Sequence, residues 1–377
     1  MNVAIFSSAF HPHIGGVEEL VRQLAHAYQA DGIGVVVITN RWPQDLPEFE
    51  EFQGIPVYRF SMRLPSGNVK ERTKYHITYA ATKNRMLDVL KKHKTNLIHV
   101  QCVSANGYYA KVAHEALRLP LIVTTQGERT MDAEKVYQRS PFMNRMLRQL
   151  LDSAQFVTAC SGHTLADLEN WYKKPLGDRA SVVYNGIDLD SFAHAKSYAH
   201  PHPFVLGIGR MVPQKGFDIL IEAFAQADVN GHHLLLAGDG AERAALERLA
   251  DKCGLNGNVH FVGRADREMA VSLFHSCSFF ALPSRMEPQG IVNLEAMASG
   301  KAVVASNTGG VPEIVLADTT GLLVEPGDVH ALAGAITKLC KDNDLRNKLG
   351  SAGLRRARDF DWTTISGQYV DLYRYAA

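Results

Sequence analysis

The sequence predicts an α/β protein of two domains, each a doubly wound parallel sheet. Three observations predict it. The chain has 377 residues, long enough for two ordinary domains. It opens with an apolar run, a helical stretch and a second apolar run over residues 2–39, the pattern of a right-handed crossover between parallel strands. The same order of strand, loop, helix and strand returns over residues 279–305.

Composition narrows the class. Apolar residues make up 46% and charged residues 21%, as in soluble globular proteins, and the formal charge of +1 gives no global reason to expect nucleic acid. The cysteines at 102, 160, 253, 277 and 340 form no C-x-x-C pair and mostly sit in apolar runs. They read as reduced core thiols of a cytoplasmic protein, not as a disulfide frame or a zinc site. No apolar run approaches transmembrane length, and strand 3–7 starts without a charged leader, so no signal peptide is expected.

In the first half, strand 2–7 leads through the loop 8–16 to a helix over 17–30 with Leu20, Val21, Leu24, Ala27 and Tyr28 on one face, then to strand 35–39. Gly15 and Gly16 precede that helix. They either bring backbone close to a ligand at the helix N-terminus or form a tight turn. Residues 8–16 lack G-x-G-x-x-G, and Gly238-Asp-Gly240 lacks its third glycine at Arg243, which disfavours a nicotinamide dehydrogenase. A β-like run at 55–60 follows. Residues 69–94 are helical and basic, carrying Lys70, Arg72, Lys74, Lys83, Arg85, Lys91, Lys92 and Lys94. The plain reading is a solvated face; the sharper one is a peripheral contact with anionic lipid or an anionic acceptor. Strands 97–101 and 120–125 deliver His99 and Gln126 toward loops at strand C-termini, where open α/β sheets place ligands. Strand 156–160, a helix capped by Ser161 and strand 181–184 complete the domain, and the His-rich, Pro-containing piece 193–203 is the linker candidate. Asp188-Leu-Asp190 spells D-x-D, but after Asn-Gly it reads as a turn, and no metal is assigned to it.

The second half begins with strand 204–208 and Gly209-Arg210-Met-Val-Pro-Gln-Lys215-Gly216. Arg210 offers a planar fork of donors and Lys215 a compact charge, a pair suited to a diphosphate. Strands 233–237 and 259–263 follow, then strand 279–282 and a loop carrying Glu287, Pro288, Gln289 and Gly290. A helix starts near Ile291, since Ile291, Leu294, Met297 and Ala298 recur at helical spacing, and it ends at Gly300 before strand 302–305. Its N-terminus suits an anion, yet Glu287 and Glu295 stand beside it. Carboxylates there make sense if the ligand also bears hydroxyls, as a nucleotide sugar does.

The run Glu287-Pro-Gln-Gly-Ile-Val-Asn-Leu-Glu295-Ala-Met-Ala-Ser-Gly resembles the E-x7-E signature of retaining glycosyltransferases of family 4. The segment 209–216 resembles that family's diphosphate-binding G-R-x-x-x-x-K-G, Gly15-Gly-Val-Glu its N-terminal glycine loop, and 307–313 continues its pattern. The resemblance spans nearly the whole chain and is most specific over 204–327. It implies the GT-B fold, two Rossmann-like domains facing a central cleft. Residues 1–190 would bind the acceptor, 191–360 the nucleotide-sugar donor, and 361–377 would cross back to the first domain.

The implied site follows by residue. Glu287 contacts the donor sugar and Glu295 the ribose, amides of Gln289, Gly290 and Ile291 face the sugar or diphosphate, and the loop with Gly263 and Arg264 holds the base. Gly15 and Gly16 border the donor phosphates and the acceptor. Many relatives have His where this chain has Gln126, which cannot carry a proton, so proton transfer there is not expected. The reaction would move a hexosyl unit from a UDP- or GDP-sugar to the hydroxyl of a sugar, lipid-linked or small-molecule acceptor, in polysaccharide or glycoconjugate biosynthesis. Glu287, Arg210 and Lys215 would be catalytic, with no metal and no cofactor, the nucleotide sugar being a substrate. The resemblance implies front-face attack, in which the leaving phosphate oxygen takes the acceptor proton; double displacement remains open, as do a nucleotide-sugar epimerase and a non-catalytic nucleotide-sugar binder. The expected location is the cytoplasm, with the inner face of the membrane if the basic helix meets lipid.

Overall fold

The computed structural model describes residues 1–13, 15–129, 136–194 and 196–376. The chain divides into two compact units, Met1–Tyr184 with Trp362–Ala377, and Asn185–Asp361.

The first unit is built on an eight-stranded sheet. In chain order its strands are β1 (Asn2–Ser7), β2 (Gly34–Asn40), β3 (Phe49–Phe52), β4 (Ile55–Phe60), β5 (Leu97–Gln101), β6 (Leu121–Thr125), β7 (Phe156–Ala159) and β8 (Ala180–Val182). They lie in the order β3-β4-β2-β1-β5-β6-β7-β8, parallel throughout except for the edge strand β3, which runs antiparallel to β4. Period-two alternation sends Val3 and Ile5 to one apolar core and Ala4 and Phe6 to another, so both faces of the sheet are covered. The helix Gly16–Ala30 covers one face with Leu20, Val21, Leu24 and Tyr28, and Glu18 and Glu19 in its first turn complement its dipole.

The helix Trp362–Ala376 packs on that same face through Ile365, Tyr369 and Tyr373, and the hydroxyls of Tyr28 and Tyr373 lie 2.5 Å apart. His99 sits beneath it. The sequence places this histidine at a loop, but it occupies the middle of β5 with no exposed surface. Its Nδ1 meets the Tyr373 hydroxyl at 2.5 Å and its Nε2 the Thr124 hydroxyl at 2.7 Å. A strand buried on both faces has no polar alternation to show which end of it faces the loops.

The second unit has six parallel strands, β9 (Phe204–Ile208), β10 (His233–Ala237), β11 (Val259–Gly263), β12 (Phe279–Leu282), β13 (Val303–Ser306) and β14 (Gly321–Val324). Their order is β11-β10-β9-β12-β13-β14. Strand order therefore reverses between β9 and β12 here, and between β1 and β5 in the first unit, and ligands of open α/β sheets bind beyond the strand C-termini at such reversals. Residues 185–190, which the sequence groups with the first half, fold with the second unit: the Ile187 N–H donates to the Phe360 carbonyl at 2.8 Å. The linker candidate 193–203 also lies inside that unit, where the Tyr198 N–H donates to the Ser276 hydroxyl at 2.7 Å and Lys196 pairs with Glu268. Asp188 accepts from the Ser191 N–H at 3.3 Å, closing a local turn.

Among the described residues no helix is long and apolar enough to cross a membrane.

Candidate functional site

At the β9/β12 reversal the loops after three strands are stitched together. The Arg285 N–H donates to the Gln214 carbonyl at 2.8 Å, and the Arg285 guanidinium bonds the Pro213 carbonyl and both oxygens of Asp218. The Gly310 N–H donates to the Glu287 carbonyl at 3.1 Å. Gly309, at φ +58°, lets that approach happen, since a Cβ there would lie 1.9 Å from the Glu287 carbonyl oxygen.

This stitching brings Lys215 and Glu287 together. Lys215 Nζ lies 2.5 Å from Glu287 Oε2, with 13% and 8% of the two side chains exposed. The Ser284 hydroxyl donates to the same oxygen at 3.2 Å. The other oxygen, Oε1, carries no hydrogen bond among the described residues, and so is free to accept one from a ligand hydroxyl. Arg210 leaves β9 exposed, and its side chain has no partner among the described residues. Three further buried polar atoms near these strand ends lack partners: Gln214 Oε1, Asn293 Oδ1 and Ser306 Oγ. Each such atom costs about 1–3 kcal/mol unless something outside the chain pairs with it.

The helix Ile291–Ala298 starts at Gly290, whose φ of +92° demands glycine; a Cβ would also meet Asn293 Nδ2 at 2.5 Å. No side chain caps this helix and no acid stands in its first turn, so the positive end of its dipole is not offset locally. Gln289 has a second task that the sequence does not show. Its side chain is buried, accepts from the Asn185 N–H at 2.7 Å and donates to the Asn185 carbonyl at 3.1 Å. One turn down the helix, Glu295 Oε1 is 2.5 Å from Arg267 Nη1. Arg267 is itself held by the Ser191 hydroxyl at 3.0 Å and over the Phe192 ring at 4.7 Å. Sequence reading missed Arg267, because nothing in an arginine at a helix start signals a carboxylate partner 28 residues away. Gly263 and Arg264 lie at the end of the edge strand β11, where the exposed Arg264 faces Asp239 at 3.7 Å. They are not part of the Lys215–Glu287 cluster.

In the first unit, Gly15 precedes the helix Gly16–Ala30 in extended backbone, and a Cβ on it would collide with the Glu18 carboxylate. Gln126 follows β6, and its side-chain amide donates to Gln101 Oε1 at 3.3 Å. Beside it is Glu128, which sequence reading left without a role. Its carboxylate accepts from the Val103 N–H at 2.5 Å and the Gln126 N–H at 3.0 Å, and so ties the loops after β5 and β6. Desolvation outweighs these bonds and raises its pKa to about 7.

Two parallel α/β units, the second with cations, a carboxylate and an uncapped helix start gathered at its sheet reversal, have the architecture of the GT-B glycosyltransferases. Two family models match the chain, Glycosyltransferase Family 4 over residues 14–191 and Glycosyl transferases group 1 over 191–356. The chain belongs to the glycosyltransferases of family 4. An uncharacterized glycosyltransferase of Methanocaldococcus jannaschii is 27% identical, covering 95% of this chain and 94% of its own. A GDP-mannose-dependent alpha-(1-6)-phosphatidylinositol monomannoside mannosyltransferase of Mycobacterium tuberculosis is 29% identical, covering 77% and 78%. Among solved structures, the sucrose-phosphate synthase of Thermosynechococcus elongatus superposes with a TM-score of 0.84 at 27% identity, covering 99% of this chain and 98% of its own.

Proposed function

We propose that this glycosyltransferase moves a hexosyl unit from a nucleoside diphosphate sugar to an acceptor hydroxyl, with retention at the anomeric carbon and without a metal ion. The observation that carries the reading is the Lys215–Glu287 pair at the β9/β12 reversal, next to the uncapped start of the helix Ile291–Ala298. Arg210, Lys215 and the amides of Gln289, Gly290 and Ile291 offset the charge that builds on the departing diphosphate. Glu287 uses its unpartnered oxygen to hold a sugar hydroxyl and stabilises positive charge at the anomeric carbon. Glu295, oriented by Arg267, accepts from the ribose, and the loop with Gly263 and Arg264 takes the base.

In the front-face course the bond from the anomeric carbon to the phosphate oxygen breaks and its electron pair leaves with the nucleoside diphosphate. The acceptor oxygen bonds the same face of that carbon, and its proton passes to the leaving phosphate oxygen. No protein base is required, which agrees with glutamine at 126. The first unit, with Gly15, Gly16 and Gln126 at its own strand C-termini, takes the acceptor side. The mannosyltransferase relative, named for GDP-mannose and a phosphatidylinositol mannoside, favours a lipid-linked acceptor.

Acceptor-dependent release of nucleoside diphosphate tests this reading. Arg210→Ala and Lys215→Ala should each lower kcat by about 10²-fold or more while changing KM for the donor less. If neither variant changes turnover or donor affinity, the assignment fails. Trapping of a glycosyl-enzyme adduct would replace the front-face course with double displacement. Release that never depends on an acceptor, or no release at all, would point to an epimerase or a binder.

A further inference from the structure

The polar segment before β9 carries histidines whose place in the fold the transferase reading does not explain. His200 and His202 come from that segment, His233 opens β10, and His260 is the second residue of β11. β10 lies between β9 and β11, so the start of β9 brings the segment against both strands. One ring nitrogen from each of His200, His233 and His260 lies within 4.8 Å of the others, the single such group of three or more His, Cys, Asp or Glu among the described residues. His233 Nδ1 and His260 Nε2 are 2.9 Å apart. Nitrogens sharing one tetrahedral ion at roughly 2.0–2.1 Å stand about 3.3 Å apart, so small rotations of partly exposed rings close the set.

Two further features bear on the cluster. His200 Nδ1 lies 3.0 Å from the His202 carbonyl oxygen and 3.3 Å from the His202 amide nitrogen; the tautomer that donates to the carbonyl leaves Nε2 with its lone pair, as metal-binding histidines commonly are oriented. His202 stacks on His233 at 4.0 Å between centroids and covers one face of that ring.

We propose that His200, His233 and His260 bind one borderline divalent transition-metal ion of the zinc class, with water in the fourth position. Imidazole donors without thiolate or carboxylate suit Zn²⁺, Cu²⁺ and Ni²⁺ and not Mg²⁺ or Ca²⁺. The cluster sits at the N-terminal ends of β10 and β11, opposite the strand ends that carry Lys215 and Glu287, and a five-residue strand spans roughly 16 Å. The ion therefore clips the segment 193–203 onto the sheet and takes no part in transfer.

The test uses the untagged full-length chain, stripped with a chelator and titrated with Zn²⁺ in equilibrium dialysis. One ion should bind per chain and raise the melting temperature. His200→Ala, in the segment outside the sheet, and the polar double variant H233Q/H260Q should each weaken binding by about 10²-fold or more. They should keep the wild-type melting temperature in chelator and the wild-type donor-dependent turnover. Cu²⁺ bound in place of Zn²⁺ should show imidazole nitrogen couplings in its electron paramagnetic resonance spectrum, and the double variant should lose them. The proposal is overturned if stoichiometric Zn²⁺ does not bind. It is equally overturned if the ion binds and His200→Ala leaves its affinity unmoved.

Discussion

His99 shows at single-residue resolution how burial converts a polar side chain into a structural pin. It is fully buried between Tyr373 and Thr124, and desolvation lowers its pKa from 6.5 to about 3. The folded chain then binds fewer protons than the unfolded one between these values, so stability falls as the pH drops from 6.5 toward 3. Glu128 acts with the opposite sign. Its pKa is raised from 4.5 to about 7, so the stability it contributes is complete below 4.5 and is lost as pH rises through 7. Both slopes belong to the wild type, and only the first is removed by His99→Gln. The stability advantage of wild type over His99→Gln should therefore be largest above pH 7 and shrink by about 1.4 kcal/mol per pH unit below 6.5. Thermal unfolding of both proteins from pH 7.5 to 5 checks this, and a gap that stays constant contradicts it. At this scale the sequence was legible where one residue type has one use, as at Gly290. It was mute where a partner lies far away in the chain, as for Gln289 with Asn185, Glu295 with Arg267, and the histidines of 193–203 with β10 and β11.

Elements were read more surely than their partners. Apolar runs marked β1, β9 and β12, the last two flanked by proline or glycine, and the helical spacing after Pro288 marked the helix that follows. The antiparallel edge strand β3, Phe-Glu-Glu-Phe, carries no apolar run, and its pairing with β4 came only from the structure. The basic helix Val69–Lys92 is capped by Asn68, which accepts from the Glu71 N–H, and is anchored by buried Tyr75, Met86 and Leu90. Lys70, Arg72 and Lys91 are exposed, as are Val69 and Ile77 at 79% and 74%. Exposed apolar groups among cations are what an anionic lipid surface binds, and a merely solvated face gains nothing from them. Co-sedimentation with vesicles should show binding that rises with anionic lipid and falls in Lys70→Glu/Arg72→Glu/Ile77→Ser. Equal binding to neutral and anionic vesicles, or none, would leave the helix a solvated face.

Over the whole molecule, the two sheets share one strand logic. Each reverses its order beside its first strand, and in the second unit the motif residues Lys215 and Glu287 converge at that reversal. The family could be read because its motif lies within one stretch of chain, where glycines and carboxylates keep fixed spacing. The boundary between the units was harder, since the Ile187 backbone bonds the Phe360 carbonyl and the Asn185 backbone the Gln289 side chain, which composition cannot reveal. The proposed transfer requires the second unit to grip a diphosphate between Arg210, Lys215 and the start of the helix Ile291–Ala298. A crystal structure of the chain with the nucleotide sugar that most raises its melting temperature tests this most directly. Phosphate oxygens should lie against Arg210, Lys215 and the amides of Gly290 and Ile291, with Glu287 on a sugar hydroxyl and Glu295 on the ribose. A nucleotide bound elsewhere, with Lys215 still paired to Glu287 and no phosphate near either, would contradict it.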